Sequence, residues 1–141
     1  MKYSLLEKIN TYLPFRINAE ILDYRSDYVG KKYDTIISIH QWAKDESLWS
    51  CQTIGGAKPS YTRILLILKP LSDLIKDKEL YNEFLKLDEN NSFALDYVCE
   101  MSGDITRFLR YNIIFFLIKN HFDVFGMIKE KKAIDINTTK Q

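Results

Sequence analysis

The groups in this chain that could carry acid–base, nucleophilic or metal chemistry are two histidines, two cysteines and scattered carboxylates. His121 stands two residues before Asp123, the spacing at which an imidazole and a carboxylate can meet. Such a pair works only beside a nucleophile and an oxyanion donor. The chain has no Gly-x-Ser-x-Gly, and Cys51 and Cys99 lie far apart, outside any protease-like or CxxC setting. His121 therefore reads better as a capping histidine, favoured by the dipole at a helix C-terminus. His40 falls inside an apolar, strand-like run between Ile39 and Gln41. No HExxH or paired CxxC offers metal-ligand spacing, and Asp123 with Asp135 is the loose alternative for an oxygen-ligand site. Gly55-Gly56 followed by Lys58 lacks the GxxxxGK[ST] spacing and sits between strand-like runs, so it reads as a hairpin turn. Lys58 on such a turn is still a candidate contact, because loops on a rigid sheet often carry them.

Binding offers a richer set of candidates. Arg107 and Arg110 are one helical turn apart with Tyr111 beside them, and Lys129, Lys131 and Lys132 form a short basic cluster diluted by Glu130 and Asp135. Arginine grips phosphates, and both arginine and tyrosine stack on bases. Tyr24, Tyr28, Tyr33, Trp42, Trp49 and Tyr61 crowd the strand-like region. Tyrosine and tryptophan are over-represented where proteins bind each other, although aromatic-rich sheets often simply pack helices.

These groups are positioned by recognisable elements. Ser4 and Glu7 form a capping-box pattern ahead of Leu5, Leu6, Ile9, Tyr12 and Leu13, which predicts a helix that Pro14 ends. Strands are predicted over 19–24, 33–42, 48–54 and 61–68, separated by turn residues and joined as an antiparallel meander. The last, Ile64-Leu65-Leu66-Ile67-Leu68, is apolar enough to be central and covered on both faces, and Pro70 stops it. Ser72 or Asp73 then suits the cap of a short turn. Helices are predicted over 80–87, over 93–101 behind Ser92, and over 105–120 behind Asp104. The run 122–137 is apolar enough to dock, and 138–141 to fray. The resulting expectation is an α+β fold: a small antiparallel sheet of about four strands, an N-terminal helix and several C-terminal helices, in a single domain spanning 1–141.

With 141 residues, 46% hydrophobic and 13% aromatic, the chain can build a genuine core. Its net charge of +1 gives no global pull toward nucleic acid or anionic membrane. Charge is nonetheless uneven: residues 76–101 hold 3 basic and 7 acidic groups, and residues 102–141 hold 7 and 4. That polarity is either a solvated face or a charge-guided contact. The cysteines read as buried, reduced thiols. No apolar leader opens the chain, and Ile113–Ile118, its most apolar stretch, falls far short of the ~20 residues a membrane span needs. A cytosolic protein without a membrane role is expected.

Three segments together resemble a known group. They are Tyr12-Leu13-Pro14; Arg63-Ile64-Leu65-Leu66-Ile67-Leu68-Lys69-Pro70-Leu71-Ser72-Asp73-Leu74; and Asn120-His121-Phe122-Asp123-Val124-Phe125-Gly126-Met127-Ile128-Lys129 leading to Ala133-Ile134-Asp135-Ile136-Asn137-Thr138. The combination resembles small uncharacterised proteins of Bacteroidetes phages and prophages, which run YLP, then ILRPLSDL, then HFDVFGLI…AIDINT. Lys69 departs from the arginine usual there, Lys131-Lys132 replace a glycine turn, and 77–101 do not match. The resemblance implies a phage setting. Accessory proteins of that kind inhibit host defence or help recombination and replication. Anti-CRISPR proteins, which occlude a Cas nuclease or its guide RNA, are one class, and RNases of the Cas13b type are the implied target. The expectation is a non-enzymatic, cofactor-free binding protein in the host cytosol. RNA or single-stranded nucleic acid is the alternative partner, and an enzyme built on His121, Asp123 and Asp135 is the weakest reading.

Overall fold

The computed structural model describes residues 3–22, 32–40, 44, 49–87, 104–106 and 109–139. The chain forms two compact units, Met1–Ile67 and Leu68–Gln141. Five strands and three α-helices among the described residues make it an α+β protein, as the patterning predicts.

In the first unit, helix α1 (Leu5–Tyr12) starts on a complete capping box. The Ser4 hydroxyl accepts from the Glu7 amide, and the Glu7 carboxylate accepts from the Ser4 amide. Two orphan donors at the helix start are thereby satisfied. Leu6, Ile9 and Tyr12 form its buried stripe. Pro14 sits in the 3₁₀ turn Leu13–Phe15 that follows, and Arg16 reverses the chain at a φ of 52°.

Strand β1 (Ile17–Ile21) begins there, two residues earlier than predicted, and buries Ile17, Ala19 and Ile21 in strict alternation. It pairs antiparallel with β2 (Tyr33–His40) on one edge and with β4 (Ile64–Leu68) on the other. β2 pairs in turn with β3 (Ser50–Thr53), with a bulge between Ile36 and Ser38. The order β3-β2-β1-β4 corrects the meander: the fourth strand returns beside the first, which is a Greek key. The reason lies in residues 54–63. After the turn at Gly55-Gly56, the chain runs back along the free edge of β3, where Cys51 N–H donates to Pro59 O (2.7 Å) and Thr53 N–H to Ala57 O (3.2 Å). That edge of β3 is thus occupied, and β4 pairs with the open edge of β1. Ser60, whose hydroxyl accepts from the Thr62 amide, starts a 3₁₀ turn over Tyr61–Arg63, so β4 begins at Ile64 rather than Tyr61. Ile64, Leu66 and Leu68 are buried while Leu65 and Ile67 are half-buried, so the second face of β4 is only partly covered.

The second unit opens with a 3₁₀ turn over Leu71–Lys76 that buries Leu71 and Leu74. Neither Ser72 nor Asp73 caps it; Pro70 occupies the cap position. Asp77 instead caps helix α2 (Lys78–Leu87), accepting from the Glu79 and Leu80 amides. Helix α3 covers Tyr111–Lys119, six residues shorter at its start than predicted. The Asp104 carboxylate binds the Thr106 amide and hydroxyl, and Ile105 N–H donates to Val124 O. These bonds hold residues 104–106 in a turn and a bridge to Phe125, competing with helix start. Strand β5 (Ala133–Asp135) and a 3₁₀ turn over Ile136–Thr138 end the described chain. The helix predicted over 93–101, the polar break before it and Cys99 lie outside the described residues. No described helix is long and apolar enough to cross a membrane.

Candidate functional site

Helix α3 has a buried side and an exposed aromatic side. Ile113, Ile114, Phe116, Leu117 and Ile118 are buried, and Phe116 packs against Phe84 of α2 with ring centroids 6.1 Å apart. The opposite side carries Tyr111, Phe115 and Lys119 at i, i+4 and i+8, so they share one line along the helix. Tyr111 is 81% exposed and Phe115 43%, and their rings lie 6.1 Å apart at 31°. Arg110, also exposed, is the N-cap in extended conformation and makes no side-chain cap bond. A solvated tyrosine resting on a second aromatic, with an arginine at its side, is a combination enriched at protein interfaces. An exposed aromatic ring is also the kind of group on which nucleic-acid bases stack.

The C-terminus of α3 is closed by a Schellman motif. His121 N–H donates to Ile118 O and Phe122 N–H to Leu117 O, each at 2.9 Å. His121 occupies the left-handed position, φ 66°, which glycine usually fills. Its role as the residue that ends the helix is therefore a backbone one. Asp123 is a clamp. Its buried carboxylate accepts from the Met127 amide (2.8 Å) and the Ile128 amide (2.9 Å), closing the turn around Gly126, φ 74°. Burial pushes the Asp123 carboxyl above its ordinary range, opposed by those backbone bonds. Each Asp123 oxygen thus accepts from one backbone amide, a structural use of the carboxylate. Asp135 is spent likewise, accepting from the Asn137 amide at 2.8 Å. Among the described residues no group of three or more His, Cys, Asp or Glu could hold a metal ion.

The other candidates are scattered. Lys129, Lys131 and Lys132 are exposed on the turn before β5. Among the described residues no hydrogen bond, ion pair or ring contact joins them to Arg110 or Tyr111. Lys131 has φ 60° and its N–H donates to Ile128 O, a left-handed position that favours glycine in general. In the first unit, Lys58 is exposed and Trp49 half-buried, beside the hairpin whose Gly55 N–H donates to Asp34 Oδ2 at 3.2 Å. The Gly55-Gly56 segment is the turn that its composition suggests. Arg107 and Trp42 lie outside the described residues. Cys51 is buried, and burial lifts its thiol to about 12, which makes it unreactive at neutral pH.

Lys69 inserts its backbone between His121 and Asp123, donating to His121 O (2.8 Å) and accepting from Asp123 N–H (2.9 Å). Its ammonium lies 5.3 Å from the centroid of the buried Phe122 ring. Asn137 Nδ2 reaches Asp73 Oδ2 at 2.7 Å, and Lys76 pairs with Asp73 Oδ1 at 3.0 Å. Lys69, Asp73, Lys76, Asp77, Leu80, Phe122, Ile136 and Asn137 line a cleft of about 230 Å³. Residues from three separate sequence segments meet there, which no local spacing announces. No protein-family model, curated protein or solved structure matches the chain.

Proposed function

We propose that this chain acts by binding, as an inhibitor of RNA-guided host defence that occupies a surface of a Cas nuclease, with the exposed face of α3 as its principal contact. The observation that supports the reading is Tyr111, 81% exposed and resting on Phe115 beside Arg110. A core-forming tyrosine would be covered, whereas here two aromatic rings lie 6.1 Å apart at 31° on the exposed side of the helix. The choice of target rests on the resemblance of three sequence segments to phage proteins, and the Cas13b type is the first effector to try. Co-purification with a panel of such effectors, together with rescue of a targeted plasmid from interference, tests the reading. Stable complex and rescue, both lost in Tyr111→Ala, are expected. No complex with any effector and no rescue overturns it.

A second reading rests on the same arginine–tyrosine neighbourhood. An exposed aromatic with a cation beside it suits a nucleic-acid accessory protein for phage recombination or replication. Gel-shift titrations with single-stranded RNA and DNA decide it: retardation must weaken steeply with salt if phosphates are gripped.

A further inference from the structure

We infer that the cleft beside Lys69 is a carboxylate-binding subsite for one acidic side chain or chain end of a partner. The inference rests on groups other than the α3 face and stands whether or not that face binds an effector. Four charged side chains line the cleft, and three are already committed. Lys76 pairs with Asp73 at 3.0 Å, Asp73 also accepts from Asn137 at 2.7 Å, and Asp77 caps α2 through the Glu79 amide at 3.1 Å. Lys69 has no ion pair among the described residues; its ammonium rests over the Phe122 ring, 5.3 Å from the centroid. A ring face attracts the cation but satisfies none of its three N–H donors. The cleft therefore offers one ammonium outside any ion pair among the described residues, beside the Lys76–Asp73 pair.

The surroundings select the ligand. The Asn137 amide nitrogen lies between two carboxylates, 2.7 Å from Asp73 and 2.9 Å from Asp135, which fixes its orientation and leaves its oxygen as an acceptor. A peptide chain end, whose carboxylate has an N–H beside it, can use that oxygen as well. Leu80, Ile136 and the edge of Phe122 supply apolar walls for an aliphatic stem. Asp73 and Asp77 stand in the same wall and repel a dianion more than a monoanion, which disfavours phosphate. At about 230 Å³ the space is smaller than the ~300–1,000 Å³ typical of drug-sized ligands, so it fits a side chain rather than a nucleotide.

The test is titration of the full chain, followed by amide ¹H–¹⁵N shifts. The probes are N-acetyl-Gly-Leu with a free C-terminus, N-acetyl-Glu-amide, its Gln counterpart and inorganic phosphate. Saturable shifts at Lys69, Ile136 and Asn137 with either carboxylate support the site, and which carboxylate binds tells chain end from side chain. The Gln counterpart and phosphate are expected to leave these signals in place. Lys69→Met, which keeps an apolar stem over Phe122, should weaken binding at least about tenfold, and Lys69→Arg should retain it. The inference is overturned if neither carboxylate saturates, if phosphate or the Gln probe shifts the same residues as strongly, or if Lys69→Met binds unchanged. Should Lys69→Met fail to fold, the Glu-against-Gln comparison in the wild-type chain still decides.

Discussion

Two carboxylates, one in each unit, do the same job in different surroundings. Asp34 in the first unit accepts from the Thr35 amide (2.8 Å) and the Gly55 amide (3.2 Å), tying β2 to the turn after β3 at a half-buried position. Asp123 in the second unit accepts from two amides at 2.8 and 2.9 Å, but it is only 5% exposed. Water can replace the first clamp and cannot readily replace the second. The first unit is held chiefly by its strand ladders, and the clamp trims a turn. The second unit, where one strand is only three residues long, depends on side-chain-to-backbone clamps to fix its chain path.

The largest effect that tests this contrast is at Asp123. Asp123→Ala leaves two amides without acceptors in the interior, at about 1–3 kcal/mol each, so urea unfolding should show a loss of several kcal/mol or outright failure to fold. Asp34→Ala, by the same measurement, should cost about 1 kcal/mol. Equal losses would dissolve the distinction between the units. The pH dependence sharpens it. The folded-state value of the Asp123 carboxyl is raised, so folding favours its protonated form. Its contribution is therefore most favourable below the unfolded value near ~3.9 and declines as pH rises through the folded one. The stability difference between wild type and Asp123→Asn should accordingly shrink as pH climbs from about 4. A difference that grows instead would mean that the amide bonds outweigh desolvation.

Gly55→Ala probes the exposed clamp directly. A Cβ there would stand 2.5 Å from Asp34 Oδ2, so the carboxylate must swing away and abandon the Gly55 amide. A loss of about 1 kcal/mol is expected, and it should largely vanish in an Asp34→Ala background, which removes the obstructing group. Additive losses would show that the clash is not with Asp34.

The capping box at Ser4, the alternation of Ile17, Ala19 and Ile21, and the apolar strand at 64–68 were legible in the sequence because they obey local periods. The Greek-key order was not, since it depends on residues 57–60 occupying the outer edge of β3, a choice made between segments. The start of α3 is not legible locally, because Asp104 has the residue type of a helix cap and instead binds Thr106 in a turn. Of the candidate contacts, Arg110 and Tyr111 are exposed together at the start of α3, while the lysines stand on a separate turn. The cleft was invisible because Lys69, Phe122 and Asn137 lie far apart in sequence and none is unusual for its type.

The smallest stability effect should come from the lysine turn. Lys131 at φ 60° sits where a side chain costs about 1 kcal/mol and glycine does not. Lys131→Gly is expected within about 0.5 kcal/mol of wild type, the relief offset by the entropy glycine adds to the unfolded chain. Lys131→Val, branched at Cβ, should lose at least about 1 kcal/mol. If Lys131→Gly also leaves nucleic-acid retardation unchanged, the turn is a backbone feature and not a phosphate grip.

The most direct test of the account is Tyr111→Ala, read twice on the same sample. Truncating an 81% exposed side chain should leave the unfolding free energy from urea titration within about 0.5 kcal/mol of wild type. Effector capture should fall at least tenfold, as expected for an aromatic at the centre of an interface. Capture that survives while the fold is intact would contradict the assignment of α3 as the contact surface.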